Sequence, residues 1–179
     1  FDKSVFEKLL AYDSIAYGMG MGVSEAVAQG VEYLLKNYQG KLILDADALN
    51  SIALFTDVNT VFQNKKCDVV ITPHLREFSR LCGWTEEDIL QAGMYAPNEF
   101  SKEKGVGVYL KNAVSILTDG QRTFLNVTGN SGQAKGGSGD VLSGILAATS
   151  AYVPSPLEAT ALAAYVNSSA GEIAESKTN

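Results

Sequence analysis

The sequence predicts an α/β fold with a largely parallel central sheet, and three observations carry this prediction. Short apolar runs alternate with longer segments in which apolar residues recur at helical spacing. One run is apolar at every position, which is typical of a strand buried on both faces of a parallel sheet. Glycines and polar residues follow these runs, where such sheets bind ligands. Because no internal repeat or linker divides the 179 residues, we expect one domain over residues 1–179.

The first half of the chain predicts three strands, each followed by a helix. Apolar residues at helical spacing first predict a short helix from Phe1 to Ala11. The strands are predicted at Tyr12–Tyr17, Leu42–Leu44 and Asp68–Pro73. Helices are expected from Ser24, which can cap the first turn, to near Gly40, at Asn50–Phe55, and over His74–Leu81.

The second half predicts three more short strands and two helices. The strands are expected at Val106–Lys111, Val114–Thr118 and Phe124–Val127. The first helix follows a glycine-rich turn and covers Val141–Ala148. The last begins at Pro156, because proline favours the first helical position, and runs to about Ile173.

Charge and cysteine content exclude several classes of function. Fourteen Lys and Arg against 20 Asp and Glu give a net charge of −6, so the chain lacks the basic excess that nucleic acids and anionic membranes require. Cys67 and Cys82 belong to no Cys-x-x-Cys or Cys/His cluster, which argues against structural zinc and fits a reducing compartment. No apolar run approaches the roughly 20 residues that span a bilayer. We expect a soluble, cytoplasmic protein that binds neither nucleic acid nor membranes.

The stretch from Asn130 to Asp140 is the most informative part of the sequence. Gly136, Gly137 and Gly139 leave the backbone uncovered immediately before an apolar helix. A helix N-terminus offers unpaired N–H groups and a partial positive charge. The combination predicts an anion hole suited to a phosphoryl group in transfer.

Asp140 follows these glycines, and its residue type and position alone allow two interpretations equally. A carboxylate in the first turn of a helix commonly complements the helix dipole. A carboxylate beside a phosphate hole is also placed to take the proton from an attacking hydroxyl. The flanking Gly-Ser-Gly favours the second interpretation, because a capping residue does not need it.

Two further groups of residues lie where predicted strands end. Three alternating glycines in Gly18–Gly22 allow the backbone to turn sharply and to approach a ligand. Asp45 and Asp47 follow the second strand, where they can order the water molecules around Mg²⁺ or cap the next helix. Asn50 in the same turn can do either, so the residues alone leave both alternatives open.

Five motifs in sequence order give the chain a resemblance to a known family. Gly137-Ser138-Gly139-Asp140 before an apolar helix resembles the anion-hole signature of the ribokinase-like superfamily, whose Asp is the catalytic base. Together with four other motifs, it resembles the ADP- or ATP-dependent NAD(P)H-hydrate dehydratase family over essentially the whole chain. The four are Gly18–Gly22, Leu44–Asn50, Thr72-Pro73-His74 with Glu77-Phe78 and Arg80-Leu81, and Lys111–Ser115. The resemblance implies a ribokinase-like three-layer α/β/α fold with a largely parallel sheet.

The resemblance further implies a repair enzyme, a carbon–oxygen lyase. The family phosphorylates the ring hydroxyl of NAD(P)HX, the hydrated and damaged form of NADH or NADPH, and phosphate then leaves to restore the double bond. This order makes chemical sense, because hydroxide is a poor leaving group and phosphate is a good one. ADP would be converted to AMP and phosphate, with ATP as the alternative donor. Mg²⁺ and a homo-oligomeric state are also implied.

The implied site residues are those that stand at matching motif positions. Asp140 would be the catalytic base and would contact the substrate together with Gly22 and His74. The nucleotide would be bound by Lys111, Asn112, Ala113, Val114, Ser115, Gly137, Ser138 and Gly139. Without the motifs, a lone histidine after proline is more often a polar residue at a helix start, and a lysine ending a strand is more often solvated.

The chain departs from the family pattern in three places. Asn112 stands where the family usually has glycine, and Leu75-Arg76 replaces Pro-Gly after the histidine. The opening segment that the family carries before Gly18–Gly22 is largely absent, so we expect residues 1–179 to lack it.

Two alternative functions therefore stay open. One is a small-molecule kinase of the same superfamily, acting on a vitamin precursor or a sugar, and the other is a nucleotide-binding module without catalysis.

Overall fold

The structure is a computed structural model that describes residues 2–130, 132 and 135–178. Helices and strands alternate over most of this range, as predicted. In chain order they are α1 (Lys3–Leu9), β1 (Ser14–Tyr17), α2 (Glu25–Asn37), β2 (Lys41–Leu44), α3 (Asp47–Phe55), β3 (Asp68–Ile71), α4 (Leu75–Cys82), α5 (Glu86–Ala92), α6 (Tyr95–Lys104), β4 (Gly107–Leu110), β5 (Ser115–Thr118), β6 (Thr123–Asn126), α7 (Ser138–Tyr152) and α8 (Pro156–Thr178).

The strands of the described residues form a single six-stranded sheet in which each strand pairs with its neighbour in sequence. Strands β1 to β4 are parallel, whereas β5 and β6 continue the sheet in antiparallel pairs. All six predicted strands are confirmed, and the predicted largely parallel sheet is confirmed with them. The carboxyl ends of β1 to β4 therefore lie along one edge, where the polar residues of the motifs collect.

Helices cover both faces of the sheet. Leu42 and Leu44 of β2 pack into one apolar cluster with side chains of α2, α3, α4 and α6, whereas Ile43 between them packs into a second cluster. Burying one such side chain stabilises the fold by about 1.5 to 3 kcal/mol. The second cluster is built with α7 and α8, which contribute Leu142, Leu146, Leu157, Ala159, Ala163 and Ala164. The predicted three-layer α/β/α arrangement is therefore confirmed.

Two helices begin earlier than predicted. α7 begins at Ser138, ahead of the predicted Val141, so Gly139 and Asp140 lie inside its first turn. α3 begins at Asp47 rather than at Asn50. The first residues of α7 are Ser138, Gly139 and Asp140, so apolar periodicity gives no signal of them. The start of α3 includes the buried Ala48 and Leu49, which follow Asp47 directly.

No prediction covers α5 and α6. The sequence does carry their boundary signals, because the Thr85 hydroxyl accepts a hydrogen bond from the Asp88 N–H at the start of α5. Gly93 and Gly105, both with positive φ, end the two helices. Ile89 is the only residue of α5 that is buried, so the apolar periodicity of this short helix is weak.

The terminal helices differ from the predictions only in length. α1 is shorter than the predicted segment from Phe1 to Ala11, and Phe1 lies outside the described residues. α8 continues to Thr178, beyond the predicted end at Ile173. Among the described residues, no helix combines the length and the apolarity needed to cross a membrane.

Candidate functional site

A cavity of about 650 Å³ opens at the carboxyl edge of the parallel strands, between the ends of β3 and β4, the first turn of α7 and the middle of α8. Three separate sequence motifs meet in it. The predicted site residues that line it are His74, Lys111, Asn112, Ala113, Ser115, Ser138 and Gly139. Four others, Gly22, Val114, Gly137 and Asp140, are not part of this lining.

His74 and Lys111 are neighbours because the parallel pairing of β3 with β4 continues past both strands. The Lys111 N–H donates to the Pro73 carbonyl at 2.8 Å, which places His74 beside Lys111. His74 also caps α4, since its Nδ1 accepts from the Glu77 N–H at 3.3 Å and Glu77 Oε2 accepts from the His74 N–H at 2.9 Å. The interpretation of His74 as a helix-start residue is confirmed. Its side chain remains 52% exposed and lines the cavity, so capping leaves it accessible to a ligand.

The Asp45 carboxylate joins three elements beside the cavity. It follows β2 and is 1% exposed. Its Oδ1 accepts from Lys111 Nζ at 2.8 Å and from the Ala46 N–H at 2.9 Å. Its Oδ2 accepts from the Ser143 hydroxyl of α7 at 2.8 Å. Hydrogen bonds between charged groups are among the stronger ones in proteins, so Lys111 is held in place. It is therefore not the ordinary solvated lysine that its position at the end of a strand would suggest without the motifs.

The first turn of α7 lies over this ion pair. Gly137, the N-cap, has a φ of 90°, which favours glycine, and no side chain among the described residues caps the helix. A Cβ on Gly139 would lie 3.4 Å from Lys111 Nζ and 3.7 Å from Asp45 Oδ2, so a longer side chain would press on both groups. A helix N-terminus and an ammonium group therefore stand side by side, and both attract anions. Ser131, Gln133 and Ala134 of the glycine-rich stretch lie outside the described residues.

Asp140 lies in the first turn of α7, and its side chain is exposed. This position complements the helix dipole. It also directly follows Ser138 and Gly139, which line the cavity. Both interpretations of Asp140 fit this position.

The segment Lys111–Ser115 forms a compact turn although it lacks the family's glycine. Asn112 Oδ1 accepts from the Ala113 N–H at 2.8 Å, and the Ser115 hydroxyl donates to the Asn112 carbonyl at 3.1 Å. Asn112 is not among the described residues with positive φ, so its backbone conformation does not require glycine. The asparagine side chain thus closes the turn by local hydrogen bonding.

The alternating glycines lead into a turn that packs against the segment after β2. A Cβ on Gly18 would lie 2.0 Å from the Asp45 carbonyl oxygen, so only glycine allows this approach. Gly22 lies away from the cavity lining, and its N–H donates to Asp47 Oδ2 at 2.8 Å. Asp47 therefore ties the glycine turn to the first turn of α3.

Asn50 stabilises a strained turn. Ala46 has a φ of 50° and a ψ of −117°, a conformation that costs a non-glycine residue about 1 to 3 kcal/mol. The Asn50 side chain donates to the Ala46 carbonyl at 3.1 Å and accepts from Arg80 of α4. The sequence gives no sign of this strain, because alanine is compatible with almost any ordinary structure.

Of the two alternatives for the carboxylates after β2, helix capping does not fit the structure. The N-cap of α3 is Ala46, and no side chain caps it. No three His, Cys, Asp or Glu side chains among the described residues cluster closely enough to hold a metal ion. Both Asp45 oxygens accept hydrogen bonds, one of them from the Lys111 ammonium, so this carboxylate joins Lys111 to Ser143.

The far wall of the cavity consists of residues to which the sequence assigns no site role, apart from Asn130 at the start of the glycine-rich stretch. Burial raises the pKa of the Tyr109 hydroxyl above its ordinary value. The Asn126 amide donates to the Ser168 hydroxyl at 2.8 Å and so joins β6 to α8. Of the others, only Asn126 carries a possible signal, since it lies at the end of a predicted strand. The wall is made of Tyr109, Asn126, Thr128, Gly129, Asn130, Leu142, Asn167 and Ser168.

Comparison with known proteins brings these motifs together in one family. The family model for NAD(P)H-hydrate dehydratase matches residues 1–179. The ADP-dependent (S)-NAD(P)H-hydrate dehydratase of Cenarchaeum symbiosum is 36% identical over 164 residues, which are 91% of this chain and 55% of that protein.

Solved structures agree in fold. The ADP/ATP-dependent NAD(P)H-hydrate dehydratase of Bacillus subtilis, co-crystallised with ATP and Mg²⁺, matches with a TM-score of 0.84 and 25% identity over 97% of this chain and 62% of that one. A ribokinase-like superfamily protein of Enterococcus faecalis matches with a TM-score of 0.83 and 28% identity over 99% of this chain and 60% of that one. The chain thus spans between 55% and 62% of the length of these three proteins. It has the ribokinase-like fold, and it belongs to the NAD(P)H-hydrate dehydratase family.

Proposed function

We propose that this chain carries the phosphoryl-transfer site of an NAD(P)H-hydrate dehydratase, which restores NADH or NADPH from NAD(P)HX with ADP as the phosphoryl donor. The observation that carries the proposal is the cavity in which His74, Lys111 and Gly139, from three separate motifs, come together. The names of the relatives support the reaction class and the nucleotide.

The nucleotide phosphates would lie between Lys111 and the first turn of α7. Lys111 supplies N–H donors at a fixed position, because Asp45 holds its ammonium. The backbone of Gly137, Ser138 and Gly139 supplies the positive end of the helix dipole. Such preorganised donors stabilise the charge that develops on a phosphoryl group in transfer. Mg²⁺, with which the Bacillus subtilis relative was co-crystallised together with ATP, would accompany the nucleotide phosphates.

The chemistry would proceed in two steps. In the first step, Asp140 takes the proton of the ring hydroxyl, and the hydroxyl oxygen bonds to the terminal phosphorus of ADP. The bond between that phosphorus and the bridging oxygen breaks, and AMP leaves. The ring nitrogen then pushes an electron pair toward the carbon that bears the phosphate, and the carbon–oxygen bond breaks. Loss of a proton from the neighbouring carbon restores the double bond. NAD(P)HX and ADP thus give NAD(P)H, AMP and phosphate, with His74 and Gly22 as further substrate contacts.

An assay of turnover tests the proposal. The protein is incubated with hydrated NADH and ADP, and in parallel with ATP, and the absorbance of the reduced nicotinamide is followed. We expect recovery of the absorbance together with formation of AMP from ADP. A stable phosphorylated alcohol formed from another substrate would instead identify a kinase. Nucleotide binding without turnover of any substrate would identify a binding module.

Exposed apolar residues support the further proposal of a homo-oligomer in the cytoplasm. Tyr152 at the end of α7 is 88% exposed, and Tyr165 and Ile173 of α8 are also exposed. Such a surface suits contact between copies of the chain. Both cysteines are free, as a reducing compartment would keep them, and burial raises the pKa of Cys67 to about 11. Sedimentation analysis of the protein and of Tyr152→Ser tests the oligomer, which the substitution is expected to weaken.

A further inference from the structure

Asp45 lies outside the cavity lining but contacts two of the elements that form it. We propose that Asp45 is a positioning residue, which holds the ammonium of Lys111 against the N-terminus of α7 so that both meet the same phosphate. The inference rests on the proposed function, since it takes Lys111 as a phosphate ligand. It adds the reason why a flexible lysine side chain stands at the correct place before the nucleotide arrives.

The two ends of the ion pair differ in exposure. The Asp45 side chain is 2% exposed, whereas that of Lys111 is 24% exposed and lines the cavity. An ammonium has three N–H donors, and the bond to Asp45 Oδ1 occupies one of them. Within the described part of the chain, two donors are therefore left for phosphate oxygens. A carboxylate that is buried behind a partly exposed cation directs that cation toward the ligand.

The same carboxylate also anchors α7. Asp45 Oδ2 accepts from the Ser143 hydroxyl, and Ser143 lies one helical turn after Gly139. Gly139 approaches close enough that its missing Cβ would contact Lys111 Nζ. One side chain thus sets the position of the helix N-terminus relative to the ammonium, and these are the two groups that attract the anion.

Backbone strain beside Asp45 is an independent observation. The φ of 50° at Ala46 lies in a region that favours glycine, and the Ala46 N–H bonds to Asp45 Oδ1. Gly18 packs against the Asp45 carbonyl from the other side. A salt bridge whose role is only to stabilise the fold does not require a strained turn to orient its carboxylate. The strain is expected where the direction of the carboxylate matters to the site.

Nucleotide affinity tests the inference without reference to turnover. Dissociation constants for ADP are measured by calorimetry for the unmodified chain, Asp45→Asn, Lys111→Met and the double variant. We expect Asp45→Asn to weaken ADP binding about tenfold and Lys111→Met about ten- to a hundredfold, because hydrogen bonds to charged groups are lost. In the double variant the loss should equal that of Lys111→Met to within about threefold, because Asp45 acts through the lysine.

Adenosine, which lacks the phosphates, is the second ligand. Comparing ADP with adenosine in Asp45→Asn keeps the test decisive even if Lys111→Met does not fold. Asp45→Asn should weaken ADP binding and leave adenosine affinity within about twofold, whereas a merely structural role would weaken both. Asp47→Asn is the matched control, since it alters a carboxylate in the same turn that bonds to Gly22 instead. Thermal unfolding followed by circular dichroism shows that each variant is folded.

Several outcomes would overturn the inference. The first is that the two substitutions weaken ADP binding independently, so that their effects on the dissociation constant multiply in the double variant. The second is that Asp45→Asn leaves ADP affinity unchanged. The third is that Asp45→Asn weakens the binding of ADP and of adenosine equally. If the expected pattern of ADP binding is found but NAD(P)HX is not converted, the proposed function fails and the positioning role stands. If NAD(P)HX is converted but Asp45→Asn binds ADP normally, the positioning role alone fails. Failure of the unmodified chain to bind ADP would overturn both.

Discussion

The site has two anion-attracting sides, the ion pair of Asp45 and Lys111 and the first turn of α7, and they are built in different ways. On one side Asp45 is buried, and both of its oxygens are bonded, to Lys111 and to Ser143. On the other side α7 begins without a side-chain cap, and Asp140 in its first turn is exposed. The first side is organised before any ligand binds. The second presents groups that a ligand can use.

This contrast separates stability from function. Removing one partner of a buried ion pair leaves an uncompensated charge, which destabilises the folded protein. Changing an exposed carboxylate that holds nothing in place leaves the fold almost unaffected. Substitutions on the lysine side should therefore alter binding and stability together, whereas those at Asp140 should alter turnover alone. Four substitutions test this division.

Asp140→Asn should have the largest effect. We expect turnover of NAD(P)HX to fall by at least about a hundredfold, because a general base is lost. ADP affinity should be retained, and the free energy of unfolding should stay within about 0.5 kcal/mol, because the side chain is exposed. The control is Glu25→Gln, which changes another first-turn carboxylate, at the start of α2. Turnover that falls less than tenfold would contradict the assignment of Asp140 as base.

Lys111→Met should affect stability most. Urea unfolding should show a loss of about 2 to 3 kcal/mol, because Asp45 is left buried without its cation. Adding Asp45→Asn should restore part of the loss, since the buried charge is then removed as well. Lys36→Met, at an exposed lysine of α2 whose side chain is 67% exposed, should change stability little. Equal effects of the two lysine substitutions would show that the two sides do not differ.

Ala46→Gly should have a smaller effect of opposite sign. Glycine adopts the Ala46 conformation without strain, so the free energy of unfolding should rise by about 1 kcal/mol. ADP binding should weaken slightly, because the turn beside Asp45 becomes freer. The control is Ala53→Gly within α3, where the same change should destabilise by about 1 kcal/mol. A loss of stability in Ala46→Gly would mean that the turn is not strained.

Glu172→Gln should have the smallest effect. Glu172 of α8 accepts a hydrogen bond from the Gly129 N–H at 2.8 Å and so holds one cavity-lining residue. An amide still accepts this bond but without the charge, so we expect the KM for ADP to rise only about two- to threefold with kcat unchanged. A large fall in kcat would instead place this wall close to the reacting groups.

The strands and the motifs were predictable because they depend on local physics. Leu42–Leu44 alternates between the two apolar clusters, and a wholly apolar run is what such a strand requires. The Gly137–Asp140 segment carries the features of an anion hole within four consecutive residues. The α5 and α6 helices were missed because α5 buries little apolar surface and α6 follows Met94, whose side chain does not cap it.

The ion pair was not predictable from the residues involved. Asp45 and Lys111 are separated by 66 positions, and each has an ordinary alternative role at the end of a strand. Only the parallel order of β2, β3 and β4 brings the ends of the strands together. The same holds for Asn126 and Ser168, which join β6 to the middle of a helix.

The sequence by itself determined the fold class, the family, and the segments that meet around the cavity. Periodicity, glycine positions and motif order express interactions between residues close in the chain. The tertiary structure decided how those segments serve the site: it joins Asp45 to Lys111, makes His74 both a cap and a cavity residue, and leaves Asp140 exposed. A polar side chain acquires its role from the partners that packing brings to it, and those partners lie far away in the sequence.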